Sequence, residues 1–134
     1  MSLALASGCG RSGDSGPAAP PAESADMRRG ELLSYACQAC HTFDSGGKNQ
    51  VGPNLYGVFG RAAGTVPDFD YSTALEESGI VWSADLLDQW LADPAGFLPG
   101  TTMTFTGYQS PEDRALLIEY LMAATGGRGA EAAE

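Results

Sequence analysis

One pentapeptide limits what this chain can become more than any other feature. Cys37-Gln38-Ala39-Cys40-His41 holds two of the three cysteines and the sole histidine of the 134 residues. Three chemistries use thiols spaced this way, and each makes a different demand on the rest of the chain. A structural zinc site needs four Cys or His ligands. The remaining cysteine, Cys9, lies far upstream across a Gly/Ser/Pro-rich stretch. A thioredoxin-like redox pair belongs after a strand in a βαβ unit, whereas a helical pattern precedes Cys37.

The third chemistry is covalent attachment of a c-type haem, for which C-x-x-C-H is the signature. Its reason is geometric. Two thiols three residues apart at a helix end can each add to one of two neighbouring vinyl groups, and the next residue, His41, then lies beneath the ring with its imidazole toward the iron. A closed iron needs a sixth ligand, and with histidine exhausted methionine is the main candidate. Met1 starts the chain, Met27 borders the stretch after Cys9, and Met122 falls among apolar residues of a helix. Met103 sits instead in Leu98-Pro99-Gly100-Thr101-Thr102-Met103-Thr104-Phe105, a loop that can present a side chain. A loop methionine is also common core filler.

Charge narrows the partners. Seventeen acidic side chains face seven basic ones, of which one is a lysine (Lys48), for a net −10. Nucleic acid needs clustered Lys and Arg, and anionic lipid attracts polybasic segments, so neither fits. A docking partner is expected to offer a basic or an uncharged patch. No run approaches the roughly 20 apolar residues that span a bilayer.

Residues 10–26 are rich in Gly, Ser, Ala and Pro and lack apolar periodicity, which reads as a flexible linker. Residues 126–134 read as a disordered tail, leaving 27–125 as the folded unit. Three helices are predicted in it. The first covers 27–38, with Asp26 as N-cap and Leu32, Leu33 and Ala36 on one face; Gly30 within it suggests a close helix contact. The second covers 84–92 after Ser83, with Leu86, Leu87, Trp90 and Leu91 inward and Asp93-Pro94 as its end. The third follows Ser110-Pro111-Glu112-Asp113, carries Leu117, Tyr120, Leu121 and Ala124 at helical spacing, and stops at Gly126. Long Gly- and Pro-containing loops between helices usually wrap something.

From about residue 29 to 125 the chain resembles class I cytochrome c of the mitochondrial and bacterial cytochrome c2 type. The resembling strings are CHTFDSGGKNQVGPNLYGVFGRAAG, FDYSTALEESGIVW, LPGTTMTF and EDRALLIEYL, in family order and at family spacing. The resemblance implies an all-α fold of three main helices, short helices and loops around one covalent haem c. It implies that Cys37 and Cys40 form the thioethers, that His41 and Met103 ligate the iron, and that the carbonyl of Pro53 accepts from the proximal histidine. Arg61, Tyr71 and Trp82 match residues that hydrogen-bond the haem propionates, and Phe105 matches the aromatic beside the exposed haem edge. Trp90 stands where mitochondrial forms carry a tyrosine near the methionine sulfur. Other departures are Gly30, one residue closer to the cysteines, and Leu33 in place of an aromatic. The family's lysine ring is missing, with Ala95, Gly96 and Thr102 in its place.

The implied function is single-electron carriage with no catalysis, between membrane complexes such as a quinol-oxidising complex and a terminal oxidase or photosynthetic reaction centre. The alternatives are a fixed electron-entry subunit of one complex, or a haem enzyme or gas sensor in which Met103 dissociates. Attachment of haem c takes place outside the cytoplasm in bacteria, so a periplasmic monomer is expected. Leu-Ala-Ser-Gly-Cys9 resembles the end of a bacterial lipoprotein signal, although Ala6 replaces the usual larger aliphatic. Residues 1–9 thus read as a truncated signal-like segment, with Cys9 as a lipid anchor to the outer face of the cytoplasmic membrane.

Overall fold

The computed structural model describes residues 21–127, with side chains from residue 25 onward. Five helices form within that span: α1 (Pro21–Gln38), α2 (Thr73–Glu76), α3 (Ala84–Ala92), α4 (Pro94–Phe97) and α5 (Pro111–Ala124). Among the described residues there is no strand, only an antiparallel bridge between Ala62 and Val81. The all-α expectation holds. No helix among these residues is long and apolar enough to cross a membrane.

α1 begins at Pro21, ahead of the predicted start, so Asp26 lies inside the helix rather than capping it. The linker reading is corrected for residues 21–26: proline fits a helix's first turn, and alanine and glutamate propagate one. Residues 10–20, Cys9 and the tail from 128 lie outside the described residues. The predicted α1 face is corrected too. Gly30, Leu33, Ser34 and Cys37 are the buried positions, at the i, i+3, i+4, i+7 spacing of one helix stripe. Leu32 points away, 53% exposed.

That stripe meets α5. A Cβ on Gly30 would lie 2.5 Å from the carbonyl oxygen of Leu116 and 2.7 Å from Tyr120 Cβ, so only glycine permits this approach. Leu33, Leu117, Ile118 and Leu121 fill the interface, Leu117 fully buried. Burying such a side chain contributes about 1.5–3 kcal/mol. Arg29 reaches across with two hydrogen bonds to Asp113 at 2.9 and 3.1 Å, an exposed pair that salt screens.

α3 and α5 start as predicted. The Ser83 side chain accepts from Leu86 N–H and the Ser110 side chain from Asp113 N–H. α3 buries Leu87, Trp90 and Leu91. Arg114 of α5, almost wholly covered, donates to Asp88 of α3 at 2.8 Å. The short helices α2 and α4 had no predicted bounds, since four residues carry no period. Each instead has a local cap: Ser72 accepts from Leu75 N–H, and Asp93 accepts from Gly96 N–H with Pro94 in the first turn.

Candidate functional site

A cavity of about 300 Å³ opens among the end of α1, α3 and the loops 41–72 and 101–105. Its lining includes Cys37, Cys40, His41, Pro53, Arg61, Tyr71, Trp82, Trp90, Met103 and Phe105, so all ten predicted site residues come together on one surface. Most of the remaining lining is aliphatic, from Val58, Leu75, Leu87, Leu91 and Leu121.

Cys37, Cys40 and His41 follow directly from α1. The N–H groups of Cys40 and His41 both donate to Cys37 O, at 3.1 and 2.9 Å, which turns the chain at the motif. The two thiols are free of disulfide. Burial pushes the Cys37 thiol up to about 11, so it stays protonated near neutrality.

His41 Nδ1 lies 2.7 Å from Pro53 O. A carbonyl oxygen only accepts, so Nδ1 carries the proton and Nε2 keeps its lone pair, on a ring that lines the cavity. Burial lowers the imidazole below its ordinary range, against the opposing Pro53 bond, and the Arg61 charge adds to the lowering. The ring is therefore neutral at physiological pH, as a metal ligand must be.

The loop behind this ring closes on itself. Gly52 N–H donates to Cys40 O at 2.7 Å. Asn54 Nδ2 reaches Thr42 O, Thr42 Oγ1 and Asp44 O, and its own N–H donates to Asn49 Oδ1. Neither Gly52 nor Asn54 was singled out from sequence. Both stand in the Val51-Gly52-Pro53-Asn54-Leu55 run beside Pro53, but a glycine and an asparagine in a loop carry no signal of what they touch.

Arg61 donates to Tyr56 O at 3.0 Å and Asn54 O at 3.2 Å, two of its five N–H donors. Burial lowers its pKa from the usual arginine value, and among the described residues no carboxylate pairs with it. Tyr71 Oη accepts from Val66 N–H at 3.0 Å, which leaves its own proton to donate. Backbone bonds bind Arg61 to Trp82: Trp82 N–H donates to Arg61 O at 3.0 Å and Gly60 N–H to Trp82 O at 2.7 Å. A half-buried cation and a free hydroxyl proton at one end of a mostly apolar cavity suit an anionic group.

Met103 occupies the loop between α4 and α5, its N–H donating to Thr101 Oγ1 at 3.2 Å. Tyr108, another residue sequence reading passed over, anchors that loop. Its N–H donates to Leu91 O in α3 and its Oη to Leu33 O in α1, both at 2.8 Å. Phe105 packs edge-on against the Tyr108 ring, centroids 5.0 Å apart. On another wall Trp90 lies edge-on to Trp82 at 5.4 Å and to Phe97 at 6.2 Å. Neither indole N–H has a hydrogen-bond partner among the described residues.

Two free thiols, a neutral imidazole with an open lone pair, a thioether and a half-buried cation without a carboxylate partner around one apolar cavity suit a haem with its propionates. A metal ion bound by side chains alone does not fit, because no group of three or more His, Cys, Asp or Glu gathers among the described residues. Fold and site together define a mono-haem c-type cytochrome.

The comparisons agree. The cytochrome c family model matches residues 27–125. A cytochrome c homolog of Bradyrhizobium diazoefficiens is 44% identical over 100 residues, covering 74% of this chain and 54% of that protein, so the chain spans about half the length of that relative. Cytochrome c of Sesamum indicum is 41% identical over 108 residues, covering 80% of this chain and 95% of the relative. Among solved structures, cytochrome cH from Methylobacterium extorquens superposes with a TM-score of 0.68 at 42% identity, covering 73% of this chain and 98% of that one. This chain belongs to the cytochrome c family: it is an electron carrier with covalently bound haem c, and it is not an enzyme.

Proposed function

We propose that His41 Nε2 and Met103 Sδ hold the iron and that Cys37 and Cys40 hold the porphyrin edge. Each thiol would add across a vinyl group, sulfur to one carbon and proton to its neighbour, so attachment requires no oxidant. Pro53 fixes the His41 ring and its tautomer. Arg61, Tyr71 and Trp82 take the propionates, Trp90 packs beside the methionine side, and Phe105 flanks the exposed edge. When bound, haem c supplies a one-electron iron couple. The chain's own contribution would be to offer the His41 imidazole and the Met103 thioether to the iron and to exclude water with aliphatic side chains.

The observation that carries this reading is the His41–Pro53 bond at 2.7 Å, because it commits one ring nitrogen and frees the other toward the cavity. The test is to express the chain with a periplasmic haem-attachment system and record visible spectra with and without carbon monoxide. A covalent low-spin haem with the methionine–iron(III) charge-transfer band, indifferent to carbon monoxide, is the expected result. Carbon monoxide binding to the unaltered protein would show that the sixth position opens, and would overturn the Met103 assignment.

Electrons are carried outside the cytoplasm between membrane complexes, a quinol-oxidising complex on one side and a terminal oxidase or reaction centre on the other, with the monomer tethered through lipidated Cys9. What supports this is the family's carrier role together with the Leu-Ala-Ser-Gly-Cys9 string. Tethering raises the local concentration of a carrier that lacks the family's lysine ring.

A further inference from the structure

α1 turns a second stripe outward. Leu32 and Tyr35 are each 53% exposed, and Ala36 and Ala39 are exposed as well. Their spacing, i, i+3, i+4 and i+7, places them in one row on the helix surface. The Ala39 N–H bond to Tyr35 O at 3.2 Å carries that row past the helix end toward the motif. There it meets the cavity mouth. Ala36, Cys40 and Val51 all line the cavity, and the Gly52–Cys40 backbone bond sets Val51 beside the end of the row. Leu32 and Tyr35 do not line the cavity, so their exposure belongs to the outer surface alone.

From this continuity we infer that the Leu32–Tyr35–Ala36–Ala39 row, extended by Val51, is the docking surface for a redox partner that offers an uncharged, apolar patch. The inference rests on the carrier reading above and gives the chemistry of its partner. Charge argues for it. Among the residues that line the cavity, Arg61 is the sole charged side chain, His41 being neutral. Arg28 and Glu31 border the row only at its far end, one helical turn before Leu32 and Tyr35. A partner's lysine or carboxylate buried here would lose water without gaining a counter-ion. Area argues against a second copy of the chain as occupant. The row exposes on the order of 300 Å² of apolar surface, enough to be functional on a monomer but well short of the roughly 800 Å² per partner of a stable complex. Brief electron-transfer encounters use surfaces of that smaller class.

The experiment uses the haem-loaded chain, reduced and mixed with respiring membranes of its source organism, and follows the second-order rate of haem oxidation. Across about 10 to 200 mM salt the rate is expected to change less than about twofold, whereas ion-steered encounters fall steeply over that range. Leu32→Ser with Tyr35→Ser should slow oxidation about tenfold, with the visible spectrum and reduction potential unchanged. Tyr35→Lys and Tyr35→Glu should both slow it, because either charge is buried unpaired. A steep salt dependence overturns the proposal, as do opposite effects of the Lys and Glu variants or an unchanged rate in the double Ser variant. Sedimentation of the chain with neutral phospholipid vesicles, or a dimer, abolished by the double variant would assign the row to lipid or to a second copy, and so overturn it too. Should the unaltered protein not be oxidised at all, the carrier reading falls first, and its failure is distinct from turnover that ignores the row.

Discussion

A Cβ at Gly52 would sit 2.6 Å from His41 Nδ1 and 2.8 Å from His41 Nε2. The imidazole therefore rests flat on a backbone position that no side chain can share. Gly52→Ala must push the ring off the Pro53 carbonyl or tilt Nε2 away from the cavity. Supporting groups of this kind typically account for 10- to 100-fold in metal affinity. The expected outcome is about tenfold less correctly ligated holoprotein, seen as lost low-spin absorbance at equal polypeptide yield. An unaltered spectrum would refute the account of His41 positioning.

At the other glycine-dependent contact the cost falls on stability. Gly30→Ala places a methyl against the Leu116 carbonyl, and backbone cannot yield as a flexible side chain can. Overpacking costs about 1–3 kcal/mol, which in a domain of this size lowers Tm by about 5–20 °C. Thermal unfolding of the holoprotein checks it. The haem spectrum should stay the same, because Gly30 does not line the cavity.

Arg61 is a half-buried cation held by two carbonyls and, among the described residues, by no carboxylate. A positive charge beside the site favours the reduced, less positive iron, so Arg61→Gln should lower the reduction potential. The shift is expected to be on the order of 60 mV, tenfold in a one-electron equilibrium. Potentiometric titration reads it directly, and a shift upward would contradict the electrostatic role. Arg61→Lys should recover part of it, since the charge returns without the planar fork.

The anchor reading is tested through Cys9. Cys9→Ser should move the protein from the membrane fraction to the released fraction while its spectrum remains unchanged. An undiminished membrane fraction in that variant would remove Cys9 from the account.

How much of this was legible beforehand follows the physics of each signal. The motif and the later helices could be read because each rests on local chemistry: thiol spacing, the Ser83 and Ser110 caps, and the proline behind Ser110. The Leu32 error has the same origin. Adjacent leucines lie about 100° apart on a helix, and only the partner, α5, decides which one is buried. Gly52, Asn54 and Tyr108 went unread because their work is done across the chain. Tyr108 bonds Leu33 at a sequence distance of 75, and nothing near either residue announces the other. The early start of α1 was hidden by Pro and Ser, residues that argue for linkers on composition alone.

The Arg29–Asp113 pair joins positions 84 apart in sequence, and with Gly30 against Leu116 it closes α1 onto α5. Closing a loop of that length costs conformational entropy, which the α1–α5 contact must offset. The C-x-x-C-H segment ends the helix that waits for this partner, so its thiols emerge long before α5 exists to pack against α1. Synthesis from the N-terminus therefore presents the attachment residues before the helix that covers α1 has been made.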